Sequence, residues 1–123
     1  MVKLAIASGD VELVVETRDT STTRQILAAL PIRARALKWG DEVYFMVPVN
    51  AGREAGATDV IKPGEIAFWT QGHAIAIGYG ETPLSRHGEI RLAAPCNIWA
   101  DAENDVRLLD ALEEGDAIEL RRL

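Results

Sequence analysis

The chain has 123 residues, 48% hydrophobic and 26% charged, enough for one domain with its own core and too few for several. A net charge of −6 argues against nonspecific binding to nucleic-acid phosphates or to an anionic membrane surface. The single cysteine, Cys96, excludes an internal disulfide framework and suits a reducing, cytoplasmic setting.

No apolar run approaches the roughly 18 residues of a membrane span. The opening MVKLAIASGD reads as a strand and not as a secretion signal. Val2, Leu4 and Ile6 alternate with Lys3 and Ala5, the period of a half-buried strand. Ser8-Gly9-Asp10 turns the chain, and Val11, Leu13 and Val15 give a second strand and a hairpin.

The period then changes. Thr22-Thr23-Arg24-Gln25 fits a capping box with Thr22 as N-cap, and Ile26, Leu27 and Leu30 share a helical face before Pro31. This predicts a helix over 22–30. A second hairpin is expected next. Its basic strand (Arg33, Arg35) faces an acidic one (Val43, Phe45 and Val47 alternating with Glu42, Tyr44 and Met46) across the turn at Gly40-Asp41.

Residues 50–58 (NAGREAGAT) are small, polar and Gly-rich, so they read as a loop. Lys62-Pro63-Gly64-Glu65 places Pro and Gly for a type II turn. Strands over 66–69 and 74–79 flank a Gln71-Gly72 turn; 81–95 reads as a long loop and 97–100 as a short strand. Asn104 is positioned to cap a short helix with Val106, Leu109 and Leu112 inward and Gly115 ending it. A strand over 117–122 closes the chain. Many short strands with two short helices argue for a mainly β barrel or sandwich.

Few residues invite chemistry. His73 titrates near neutrality but has no orienting partner nearby in sequence, so its simplest role is a strand-end residue bonded to backbone or water. His87 lies in a polar turn. With Glu81 and Glu89 the two histidines would make a metal set, but no HxxxH or HxH spacing supports one, and no metal is expected. Cys96, in an Ala-Ala-Pro-Cys context, reads as a small buried hydrophobe. The glycines of GYGETP lack the following helix that a phosphate cradle needs, so no cofactor is expected either. Phe68 and Trp69 are adjacent on a strand and point to opposite faces, so one of them must leave the core. An outward ring there, with Tyr44, His73, Thr82 and Ser85, would form an apolar patch with polar edges.

The order of WGDEVYFMVPV, PGEIAFW, GYGETPLS and APCNIWA resembles the cyclophilin fold, and more closely the small prokaryotic cyclophilin-like proteins of uncharacterised function. The resemblance implies a closed barrel of about eight strands plugged at its ends by two helices. Prolyl isomerases of the cyclophilin type use an arginine on the strand after the first helix, and a Gln and a Phe on the strand after the Gly turn. On this alignment the arginine strand matches residues 42–47, which hold no Arg; the Gln position falls on Ala74 and the Phe position on Ala76. Three readings follow: a module that binds a small molecule or extended peptide in a groove, an atypical or weak peptidyl-prolyl isomerase, and a structural subunit that buries its outward aromatics in a homodimer.

Overall fold

In the first two strands, the period-two pattern sends Leu4, Ile6, Leu13 and Val15 to one face, and all four are buried. The computed structural model describes residues 1–123. It contains β1 (Lys3–Ser8), β2 (Val11–Thr17), α1 (Ser21–Ala29), β3 (Ile32–Arg35), β4 (Leu37–Lys38), β5 (Glu42–Met46), β6 (Thr58–Ile61), β7 (Glu65–Trp69), β8 (Ala74–Gly78), β9 (Ile90–Ala102), a 3-10 helix (Val106–Ala111) and β10 (Ala117–Arg122). The strands run β3-β10-β1-β2-β9-β7-β8-β5-β4, with β6 paired to β9 off this path. The first and last strands of that path, β3 and β4, are neighbours in the chain, separated only by the fully buried Ala36. The curled sheet is therefore nearly closed into a barrel. The expected mainly β barrel is observed, with ten strands where about eight were expected.

One core of 23 residues fills the barrel, with Trp99, Phe45 and Phe68 its largest fully buried members. Trp99 donates its indole N–H to the Ala67 carbonyl at 3.3 Å, so its one polar atom is satisfied where water cannot reach. Ile26 from α1 and Val106 and Leu109 from the 3-10 helix join this core. No helix is long and apolar enough to cross a membrane.

Several local expectations are corrected. The helix is capped by Thr20, whose hydroxyl accepts from Thr23 N–H at 3.0 Å; Thr22 instead turns inward and donates to the Glu54 carboxylate. With Thr20, Thr22 and Thr23 all competent caps, burial against Glu54 and Asn97 decides which one points back. Asn97 donates to Thr22 Oγ1 at 3.0 Å and to the Gly52 carbonyl at 2.8 Å, so a long-range polar network fixes the 50–57 loop.

The Gly40-Asp41 turn makes a hairpin only with the two-residue β4. Arg33 and Arg35 lie on β3, which pairs with β10, and Arg33 meets Glu119 at 3.4 Å. The basic strand does face an acidic one, but it is the last strand of the chain. Residues 90–95, expected in a loop, belong to the thirteen-residue β9, which runs through Pro95. Pro95 is tolerated because it falls where the β6–β9 register slips, between the Thr58–Cys96 and Val60–Arg91 pairs, and no ladder bond is asked of its nitrogen. The second helix is a 3-10 turn capped by Asp105. Asn104 instead bridges to β2, accepting from Val14 N–H at 2.8 Å and donating to the Glu12 carbonyl at 3.0 Å.

Gly40 follows Trp39 in the turn before β5. It sits at φ +60, and a Cβ there would meet the Glu81 carbonyl at 2.9 Å and the Thr82 Cα at 3.0 Å, both backbone atoms with little freedom to move. Gly40→Ala is expected to lower folding stability by about 1–3 kcal/mol, read as a lower urea midpoint at unchanged m-value.

Candidate functional site

Strand β8 divides its residues by size. Ile75 and Ile77 point into the core, while Ala74, Ala76 and Gly78 share the outer face. Ala76 lies in register between Tyr44 on β5 and Ala67 on β7, so the centre of the outer face is floored by methyl groups. A second apolar cluster sits over this floor. Ala67 and Ala76 come from the barrel wall, and Ile61, Ile90, Leu92 and Cys96 from the ribbon formed by β6 and the first half of β9. Ile90 closes on Gly78, where an added Cβ would come within 2.4 Å of Ile90 Cγ2.

Between ribbon and barrel wall lies a pocket of about 220 Å³. Trp39, Glu42 and Tyr44 form one side, Trp69 and Ala76 the floor and edge, and Leu92, Ala93 and Cys96 the ribbon side. Trp69 is held over Gly72, where an added Cβ would lie 2.3 Å from Trp69 Cε3.

In the whole chain, two buried side-chain polar atoms have no hydrogen-bond partner: Glu42 Oε1 and Trp69 Nε1. Both residues line this pocket. Glu42 is only 6% exposed and has no cation beside it. Its removal from water raises its carboxyl to about 7. Burial, followed by the nearby Glu42 carboxyl, pushes the Cys96 thiol up to about 12, so at neutral pH it is a thiol and not a nucleophilic thiolate.

The other residues expected at the site are dispersed. Tyr44 and Trp69 reach the pocket. Phe68 is fully buried inside the barrel, so Trp69 is the member of the pair that leaves the core. His73 lies in the β7–β8 turn at φ +50, with Nδ1 3.2 Å from the Val49 carbonyl. Thr82 and Ser85 fasten the loop before β9: the Thr82 hydroxyl donates to the Arg91 carbonyl, and Ser85 Oγ accepts from Thr82 N–H at 2.9 Å and Arg91 N–H at 3.1 Å. Neither lines the pocket. Sequence reasoning missed Trp39, Glu42, Leu92, Ala93 and the pocket-side position of Cys96. The available signal was Glu42 itself, an acid beginning a strand next to a Gly-Asp turn and two residues from Tyr44.

A family model described as cyclophilin-like matches residues 2–121, nearly the whole chain. The chain belongs to the cyclophilin-like family. This cyclophilin-like chain is similar to the solution structure of the hypothetical protein AF2241 from Archaeoglobus fulgidus, with 33% sequence identity, a TM-score of 0.86, and coverage of 99% of this chain and 95% of that one. No curated protein matches it. No arginine lines the pocket of this cyclophilin-like barrel, whose walls include Glu42 and Tyr44 on β5 and Ala76 on β8, the strands where the resemblance leads one to expect the isomerase residues. Arg33 and Arg35 stand on β3, paired with β10.

A carboxyl whose folded-state pKa lies above its unfolded value favours the protonated protein. Glu42 therefore leaves stability untouched below about pH 4.5, erodes it as pH rises towards about 7, and exerts its full penalty above that. Between about pH 5 and about pH 8 the native protein should lose roughly 2–3 kcal/mol relative to Glu42→Gln, measured by urea denaturation of both chains at each pH.

Proposed function

We propose that this chain is a binding module that takes a small, largely apolar molecule into the outer-face pocket against Trp39, Tyr44 and Trp69. The observation that carries this reading is that the chain's two orphaned buried polar atoms, one acceptor and one donor, belong to two residues that line the same pocket. Buried polar groups in folded proteins are almost always paired, and each one left unpaired costs about 1–3 kcal/mol. That both parent residues line one apolar cavity supports a site completed by something else. The volume of about 220 Å³ falls below the roughly 300–1,000 Å³ of pockets that hold drug-sized ligands, which favours a compact guest.

The isomerase reading gains no support from the pocket wall, which offers an acid and an indole where a guanidinium would be needed to hold a substrate amide. The buried thiol of Cys96 likewise lacks the ionisation that covalent catalysis asks for.

The test is a panel of one-ring fragments of differing charge, namely benzyl alcohol, benzylamine and benzoate, followed by the indole N–H signals of Trp39 and Trp69 in NMR. At least one fragment should shift both signals saturably while leaving that of Trp99 in the core unmoved. Ala76→Phe, which fills the floor, should abolish the shifts. Silence from the whole panel, or shifts that survive Ala76→Phe in a folded variant, would contradict the reading.

A further inference from the structure

Resting on that reading, we propose that the pocket selects a small organic ammonium ion, held by the Glu42 carboxylate and by the aromatic walls of Trp39, Tyr44 and Trp69. Four observations lead there. Glu42 is the one acid on the wall, it is buried, and no Lys, Arg or His lines the pocket to neutralise it. A buried carboxylate without a partner asks for a cation more strongly than for any neutral donor, because only the cation compensates the lost hydration of the charge.

Three aromatic side chains share a small cavity with that acid, and aromatic faces attract organic cations, most of all those of Trp. Inorganic cations do not fit this wall. Calcium and magnesium want six or so oxygen ligands, and the surrounding side chains are Ala, Leu, Cys and aromatic rings. Anions are disfavoured by Glu42 and by the chain's net charge of −6.

The arrangement also couples binding to pH. The titratable groups facing Glu42 across the pocket are Tyr44 on its own strand and Cys96 from β9; β7 and β8 present Trp69 and Ala76, and β4–β5 presents Trp39, none of them charged. Cys96 stays a neutral thiol through this range. An arriving ammonium ion must therefore displace the proton from Glu42, and its affinity rises with pH as that proton leaves.

The experiment compares benzylamine with benzyl alcohol, two guests of nearly equal shape, by titration against the intact chain at about pH 5 and about pH 8. At the higher pH benzylamine should bind about tenfold or more tightly than the alcohol, and it should weaken by about tenfold or more at the lower pH while the alcohol changes little. In Glu42→Gln, which removes the charge and keeps the shape, the pH dependence should vanish and the preference for the amine should fall to the small part that the aromatic rings supply. Equal affinities for the two guests in the native chain, or a preference and pH dependence undiminished in Glu42→Gln, would overturn the ammonium assignment while leaving a pocket that binds. Failure of both guests at both pH values would overturn the assignment together with the reading it rests on.

Discussion

The structure depends on the division of β8 between two faces. Ile75 and Ile77 complete a core that also holds Phe45, Phe68 and Trp99, and without them the barrel would lack its central packing. The opposite face carries only Ala74, Ala76 and Gly78. An outer face so bare leaves a hollow on a barrel that would otherwise be convex. The ribbon of β6 and β9 folds over part of that hollow, and Ile90 fills it at Gly78. What remains open, between Ala76 and the aromatic rings, is the pocket.

The same geometry explains why a carboxyl sits where carboxyls are seldom found. Glu42 starts β5 in register with Gly78, and the ribbon over Gly78 takes away the water that would ordinarily solvate it. Leu or Met at this position would fill the space without the desolvation. The local rules are broken at one place: both residues with an orphaned polar atom line the same pocket, in a fold that is otherwise self-consistent. The rest of the molecule bears that burden easily, because every other buried side-chain nitrogen or oxygen is paired, including those of Thr22, Asn97 and the Trp99 indole.

The barrel was legible in the sequence because β1, β2 and β10 are written in period two and turn residues bracket β7 and β8; each was foreseen close to its observed limits. The partnership of β3 with β10 was not, since a strand chooses its neighbour through the whole topology, and Arg33 pairs equally well with an acid at Glu42 or at Glu119. The long β9 was hidden by Pro95, a residue that normally argues against a strand and is excused here only by a slip in register. At the pocket, the opposed faces of Phe68 and Trp69 were foreseen from adjacency alone. That Glu42 would be buried was not, because its burial comes from β9, more than forty residues later in the chain. Thr82, Ser85 and His73 looked like polar edges of a groove by their nearness in sequence to the aromatic doublet. The first two instead fasten a loop, and the third rests on the Val49 carbonyl.

Glu42 is a carboxyl removed from water, with no partner of its own in the free chain. Its side-chain carboxyl carbon, followed by NMR through a pH titration of the free protein, reports this directly. A midpoint near 7 is expected in the free chain, moving down towards the ordinary value of 4.5 when benzylamine saturates the pocket. A free-state midpoint already at about 4.5, or one that does not move when the amine is added, would contradict it.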